Sequence, residues 1–320
     1  MTKNNILIAS FSIIFASIFF VINDAIINYL STINITFYHF IFYGTPAYLS
    51  VPLFLLIKGN LKRNLICENY WIPTIRGIIF APMPFITFVS LKNITLPEFT
   101  TLNMAAPLFG AIYAIIFLNE KLNRYIYISL AIGFLGVLFV IQPGFDTFNI
   151  YFLVTLFGVI LITTTTTIVN KYNEVTTTLG YFMYGGFIIH IISLILFIWD
   201  PIKVNFYEFI LITIASIFIN MALFLATLAF KTAQQHYSSV FCLVYLQIVW
   251  SVLIGLFIFN EYLNLFAIEF LEFLCLCAMI IPLLFSNFFL TIRFNSLIKF
   301  FSLKGGSKKI KSNFLLEFSK

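Results

Sequence analysis

The chain is a succession of apolar stretches, each long enough to cross a bilayer as a helix, joined by short loops. A spanning helix needs roughly 20 mostly apolar residues. Hydrophobic residues make up 61% of the 320 residues and charged residues 9%, too few charges for a soluble surface. The sequence therefore predicts an all-α membrane protein. Ten spans are predicted, at 6-30, 35-57, 73-91, 97-118, 125-142, 150-170, 177-198, 206-230, 237-259 and 265-289.

The basic residues predict the orientation of these spans. With ten spans and an interior N-terminus, all of the 18 Lys and Arg residues except Lys92 and Lys203 fall on the inner side. Cytoplasmic loops carry the excess of Lys and Arg in membrane proteins, so both termini are predicted to be cytoplasmic. The polar segment 290-320 is predicted to be a basic cytoplasmic tail beside the lipid headgroups, with no role in binding nucleic acid.

Two pairs of similar segments indicate an internal repeat. Segment 91–120 begins with Leu-Lys and ends in Phe-Leu-Asn-Glu, while 230–261 begins with Phe-Lys and ends in Ile-Phe-Asn-Glu. Segments 23–29 and 165–171 also match, at nearly the same spacing. Each repeat holds about five spans, so the second copy enters the membrane inverted. Inverted repeats place a binding site at their interface near the bilayer midplane, which favours a carrier.

The predicted domains follow from this duplication. A first five-helix repeat occupies 1-145, a second occupies 146-289, and the tail completes the chain. The loops agree with inversion, because Glu120 falls in a predicted inner loop and Glu261 in a predicted outer loop.

The order of several short motifs resembles a known family. Arg76-Gly77 opens the third span, Pro107 lies in the fourth, and Phe-Leu-Asn-Glu at 117–120 closes it. With ten spans and a five-plus-five duplication, the chain resembles the EamA family of the drug/metabolite transporter (DMT) superfamily over roughly residues 6-289. Asn23-Asp24 and Arg76-Gly77 are most similar to the branch that contains S-adenosylmethionine uptake carriers of obligate intracellular bacteria.

This resemblance implies a multi-pass carrier in a bacterial inner membrane, working on a small polar metabolite by alternating access. S-adenosylmethionine uptake or exchange is the implied activity, and export of amino acids or related metabolites is the alternative. The second span, from Phe37 to Phe42, differs from that branch in lacking acidic and arginine residues. The second repeat has no proline matching Pro107.

Polar residues within the spans are the candidates for substrate binding, because such residues are rare in lipid and usually functional. Asp24 lies late in the first span, where it is predicted to bind a cationic substrate group or take up a proton. Asn28 is one helical turn further along the same face. The alternative is that Asp24 has no role in transport and that water at the outer membrane surface hydrates its carboxyl group.

The sixth span carries a run of threonines. Thr163, Thr166, Thr167 and Asn170 fall on one helical stripe and are predicted to line the cavity opposite Asp24. Threonines also bond carbonyls of their own helix, so packing is an equal alternative. Tyr245 is predicted to stack on or hydrogen-bond a nucleoside-like ligand of the implied kind.

Two further acids are candidates for proton coupling. Glu269 and Glu272 lie three residues apart on one face of the tenth span, and two like charges at low dielectric raise at least one proton affinity. A hydrated outer vestibule is the alternative. Arg76 has two open interpretations: extension of its charged end to the headgroups, or binding of an anionic substrate group.

The sequence contains no recognisable catalytic or nucleotide-hydrolysing motif, so we predict that the protein is not an enzyme and binds no cofactor. The spacing of the four cysteines predicts neither a disulfide framework nor a metal site. The expected partners are a small-molecule substrate and the lipid bilayer. A membrane enzyme acting on lipid-linked substrates and a passive scaffold are the competing classes. The first requires a large loop or interfacial acids, and the second does not require polar residues buried in both halves.

Overall fold

The computed structural model describes residues 3–33, 35–122 and 149–254, with a few single positions between 124 and 135. These residues are almost entirely helical. Two 3-10 turns, Gln234–His236 and Leu243–Tyr245, flank one short helix. The α-helices are α1 (Lys3–Thr32), α2 (Phe37–Ile57), α3 (Leu61–Asn64), α4 (Trp71–Phe80), α5 (Met83–Asn93), α6 (Leu96–Asn103), α7 (Ala106–Leu118), α8 (Ile150–Lys171), α9 (Thr178–Trp199), α10 (Phe206–Ala233), α11 (Tyr237–Cys242) and α12 (Leu246–Ile254).

The described residues contain seven stretches long and apolar enough to cross a membrane, which confirms the prediction of an all-helical, multi-pass membrane protein. They match the first four predicted spans and the sixth to eighth, and the last stretch continues into the ninth. Predicted span 265-289 and most of 125-142 lie outside the described residues. The seven stretches are Asn5–Thr32, Phe37–Ile57, Trp71–Asn93, Glu98–Leu118, Ile150–Lys171, Thr178–Trp199 and Phe206–Tyr245.

Prolines interrupt two of these spans. The third span breaks between α4 and α5, where Pro82 lies, and the fourth breaks between α6 and α7, just before Pro107. Proline has no backbone N–H and its ring crowds the preceding turn, so a helix bends or ends there. The break before α7 is buried, with Met104 and Ala105 at most 3% exposed, whereas Pro82 at the other break is exposed.

Local capping fixes where several helices begin. The side chain of Asn149 accepts from the N–H of Tyr151 at the start of α8, and that of Thr177 accepts from Gly180 at the start of α9. Asn205 and Glu208 form a capping box at the start of α10. Such caps satisfy N–H groups that the first helical turn leaves unpaired. They set the loop boundaries and hence how far each helix extends.

The loops gather at two opposite ends of the bundle. At one end, the N–H of Glu68 donates to the carbonyl of Val175 at 2.9 Å, and Glu120 contacts Ser238. At the other end, the Tyr38 hydroxyl donates to Asp200 Oδ2 at 2.5 Å. The first end is called the basic end here, and the second the opposite end. The basic end carries Lys58, Lys62, Arg63, Lys121, Lys171 and Lys231.

The helices pack in reciprocal pairs. Helix α1 lies along α10, and α8 lies against α4 and α5. Helix α2 packs on α10, as α9 packs on α4. Fully buried alanines such as Ala16 in α1 and Ala222 in α10 let the backbones approach closely, as small residues do between membrane helices. The centre of the bundle is therefore formed by α1, α4, α5, α8 and α10.

Candidate functional site: a central cavity

A cavity of about 210 Å³ lies between the helices at the centre of the bundle. Ser17 and Asn220 border it from near the midpoints of α1 and α10, so the cavity is at mid-depth. Phenylalanines form much of its apolar wall. The polar lining residues are Ser17, Asn23, Asp24, Arg76, Thr87, Asn103, Thr165, Thr166, His190, Ser216, Asn220, Thr227 and Gln247.

Asp24 borders this cavity and is only 8% exposed. Its Oδ1 accepts a hydrogen bond from Asn23 Nδ2 at 3.2 Å. Among the described residues, no cation lies within ion-pairing distance of its carboxyl group. A buried carboxylate without a partner is costly, so this position favours either a cationic ligand or a bound proton. The structure thus places Asp24 inside the protein and not at a surface wetted from outside.

Arg76 borders the same cavity from α4 and is 9% exposed. Its Nη1 donates to the carbonyl of Tyr181 at 2.9 Å, and Nη2 donates to Thr227 Oγ1 at 3.3 Å. These partners belong to α9 and α10, so the guanidinium points into the bundle. The interpretation in which Arg76 extends towards the headgroups is therefore wrong, because neighbouring helices supply the acceptors that the lipid surface would have supplied.

The two charges lie towards different ends of the cavity. With a rise of about 1.5 Å per residue, Arg76 lies about 8 Å along α4 from its start at the basic end. Asp24 lies about 12 Å before the close of α1 at the opposite end. Amide and hydroxyl side chains, including Asn220 and Gln247, occupy the depth between them. The cavity thus offers an acid, a cation and neutral hydrogen-bonding groups to one ligand.

The side chains of the threonine stripe on α8 contact different parts of the protein. Thr165 and Thr166 border the cavity. Thr166 and Thr167 each lie 2.9 Å from the Tyr237 hydroxyl, and Thr163 donates to the carbonyl of Val159 in its own helix. Thr166 and Thr167 therefore contact Tyr237 of α11, while Thr163 bonds within its own helix.

Five residues predicted to line the cavity lie outside its described wall: Asn28, Thr163, Thr167, Asn170 and Tyr245. Asn170 Nδ2 donates to the carbonyl of Phe230 at 2.8 Å and to that of Gln234 at 3.2 Å, which fastens α8 to the end of α10. Tyr245 is buried in the turn before α12. Their binding roles stay predictions. Glu269 and Glu272 lie outside the described residues.

Several cavity residues escaped the sequence-based prediction. Asn103, Asn220 and Thr87 are single polar residues within apolar stretches, which was the one available signal. His190 is another such residue. Its ring stacks on Tyr48 with centroids 4.1 Å apart and Nδ1 lies 3.0 Å from Thr45 Oγ1, but it also borders the cavity.

Part of the chain matches a known family, and several named proteins are similar to it. Residues 3–142 match the model of the EamA-like transporter family. A protein named S-adenosylmethionine uptake transporter from Rickettsia bellii (strain RML369-C) is 24% identical over 252 residues, covering 75% of this chain and 81% of that protein. A protein of the same name from Rickettsia conorii (strain ATCC VR-613 / Malish 7) is 24% identical over 245 residues, covering 75% and 80%.

The fold has a counterpart among solved structures. One crystal structure aligns with a TM-score of 0.65 at 14% sequence identity, covering 90% of this chain and 99% of that chain. The identity is too low to carry function, so this likeness concerns the fold alone. Together with the family match, it agrees with the helical bundle described above. Residues 3–142 therefore carry an EamA-like transporter domain, and the relatives that align with 75% of the chain are named as transporters.

Proposed function

We propose that the protein is a secondary carrier that moves a small polar metabolite through the central cavity by alternating access. The observation that carries the proposal is a cavity at mid-depth that is bordered by two buried residues of opposite charge, Asp24 and Arg76, which form no ion pair with each other. A passive scaffold does not require two charged residues within the bilayer, where each is energetically costly, whereas a polar ligand can compensate both charges.

The reciprocal helix contacts support two inverted repeats, 1-145 and 146-289. In this arrangement α1 corresponds to α8, and α4 together with α5 corresponds to α10. A pseudo-two-fold axis that relates these helices also relates two contacts: that of α1 with α10, and that of α8 with α4 and α5. The same axis exchanges the α2–α10 contact with the α9–α4 contact. The family match over residues 3–142 ends near the proposed boundary of the first repeat.

Each end of the bundle has a contact between the two proposed repeats. At the basic end Glu120 binds Ser238, and at the opposite end Tyr38 and His39 bind Asp200. Alternating access requires that such contacts open at one end while they stay closed at the other. In the proposed cycle, these two sets form the gates, and the cavity between them carries the ligand.

The proposed ligand is S-adenosylmethionine, moved by uptake or exchange. Two Rickettsia relatives bear that name, and the cavity's acid suits a cationic group while its amides and aromatic rings suit a nucleoside. The proposed location is a bacterial inner membrane with both termini in the cytoplasm. The clustering of basic residues at one end supports this orientation.

Counterflow tests the proposal directly. Purified protein in liposomes preloaded with unlabelled S-adenosylmethionine should transiently accumulate labelled S-adenosylmethionine above its equilibrium level. Protein-free liposomes serve as the control, and a parallel set loaded with amino acids examines the export alternative. Equilibration without an overshoot for every ligand would indicate a passive pore and contradict the carrier proposal.

A further inference from the structure

Arg76 is a buried cation whose charge is not balanced within the described part of the chain. Only 9% of the residue is exposed. The oxygens that accept from it belong to a backbone carbonyl, that of Tyr181, and a hydroxyl, that of Thr227. Both are neutral. Its Nε has no hydrogen-bond partner among the described residues.

The absence of a described counter-ion distinguishes Arg76 from a structural arginine. Buried guanidinium groups are normally paired with a carboxylate, because removing a charge from water costs far more than a neutral hydrogen bond returns. The acid that shares its cavity is Asp24, which forms no ion pair with it and lies towards the opposite end. An anion entering the cavity would supply the missing charge and an acceptor for unused N–H groups.

The backbone beside Arg76 is shaped to hold the guanidinium inward. Helices α4 and α9 cross so closely that a Cβ on Gly77 would lie 2.6 Å from the carbonyl oxygen of Gly185. A Cβ on Gly185 would lie 2.7 Å from Arg76 Nη1. The missing side chain at Gly185 therefore leaves the space that the guanidinium occupies. An alanine at this position would displace the tip of a flexible side chain and would leave the helix crossing intact.

We propose that Arg76 forms an anion subsite in the half of the cavity nearer the basic end, and that it takes the carboxylate of the transported ligand. The inference rests on the proposed transport role and adds a requirement that the ligand bear a carboxylate. The planar fork of arginine matches a carboxylate geometrically and electrostatically. Asp24, in the other half, remains available to a separate cationic group. Gly185 acts as a positioning residue for the subsite.

Matched ligand pairs test the subsite. Each pair consists of a carboxylate-bearing compound and its decarboxylated analogue: S-adenosylmethionine with decarboxylated S-adenosylmethionine, and methionine with 3-(methylthio)propylamine. Binding to purified protein is measured by thermal shift and by microcalorimetry. In at least one pair, wild-type protein should bind the carboxylate-bearing member at least about tenfold more tightly.

Variants connect that preference to Arg76. Arg76→Gln should remove the preference by weakening only the carboxylate-bearing member, while the affinity for the amine stays the same. Gly185→Ala should reduce the preference with Arg76 still present, and Arg76→Lys should restore part of it. Arg63→Gln, an exposed arginine of α3 outside the cavity, is the matched control and should behave as wild type.

Two results would overturn the inference: no preference for the carboxylate in any pair with wild-type protein, or a preference that persists in both Arg76→Gln and Gly185→Ala. A structural arginine would weaken both members of a pair equally. If Arg76→Gln does not fold, the inference is tested by the ligand preference of the wild-type protein and by its reduction in Gly185→Ala. The failure of the proposed transport function gives a different result: counterflow is absent, but the binding preference for the carboxylate remains.

Discussion

Glu120 accepts two hydrogen bonds from Ser238, one from its backbone N–H at 3.3 Å and one from its hydroxyl. The contact joins the end of α7 to the start of α11 across the two proposed repeats. Asn119, in the left-handed region with φ of 53°, ends α7 and turns the chain so that Glu120 can reach Ser238. An acid next to the predicted inner loop is thereby drawn into a packed junction at the basic end.

This junction predicts a pH effect on stability. Burial raises the pKa of Glu120 above its ordinary value of 4.5, and the bonds from Ser238 only partly oppose this. Between 4.5 and the raised value the folded protein holds more protons than the unfolded chain, so stability falls as pH rises through that window. Glu120→Gln cannot ionise and should flatten this dependence, measured as melting temperature against pH.

The control for this pH effect is Glu68→Gln, which changes an exposed acid at the same end of the bundle. Its melting temperature should follow the wild-type curve. Equal slopes for wild type and Glu120→Gln through the window would show that Glu120 does not carry the effect.

Replacement of Asp24 should impair transport more than folding. Asp24→Asn removes the charge but keeps the shape, so counterflow of a cationic ligand should fall about tenfold or more, with a changed pH dependence. Asp24→Glu should retain part of the rate. The exposed Glu174→Gln is the control. Unchanged rate and pH profile in Asp24→Asn would remove Asp24 from the proposed site.

The Tyr237 hydroxyl predicts a measurable contribution to stability. It lies 2.9 Å from both Thr166 Oγ1 and Thr167 Oγ1 in a fully buried setting. Both threonines keep bonds to the carbonyl of Thr163, so Tyr237→Phe should cost about 1–2 kcal/mol of unfolding free energy and no more.

Unfolding in a mixed-detergent titration measures that cost. Tyr207→Phe removes a hydroxyl from an exposed tyrosine and should have little effect. A loss in Tyr237→Phe no larger than in Tyr207→Phe would mean that the contact between α8 and α11 contributes nothing through this hydroxyl.

The close approach of α2 and α10 depends on Gly44. A Cβ there would lie 2.1 Å from Ser216 Oγ and 2.9 Å from Ser216 Cβ. Gly44→Ala should therefore destabilise the protein by about 1–3 kcal/mol. Adding Ser216→Gly should recover much of that loss, because it removes both colliding atoms, whereas adding the exposed Ser50→Gly should not. Additive losses in the first double variant would refute the steric explanation.

Cysteine accessibility tests the inversion of the repeats. In a cysteine-free background, Lys121→Cys and Glu261→Cys should react with impermeant thiol reagents from opposite faces of the membrane, because each follows a corresponding span. Lys62→Cys and Lys203→Cys mark the two faces as references. Labelling of positions 121 and 261 from one face would rule out an inverted arrangement.

The apolar stretches by themselves determined that this is a helical membrane protein, because backbone groups in lipid must be satisfied within a helix. The helix breaks beside Pro82 and Pro107 are also local effects, since a proline acts on its own helix. Asp24 was found in the same way, because an acid within an apolar stretch is conspicuous in a single sequence.

Tertiary structure alone decided which polar residues share the cavity. Thr163 and Thr166 lie on one stripe of α8, yet Thr166 borders the cavity, whereas Thr163 lies outside its described wall and donates to the carbonyl of Val159. Arg76 points inward because acceptors on α9 and α10 are close enough to bind it. The physical reason is that the rotation of each helix is set by contacts with helices far away in sequence, and helical periodicity carries no information about those contacts.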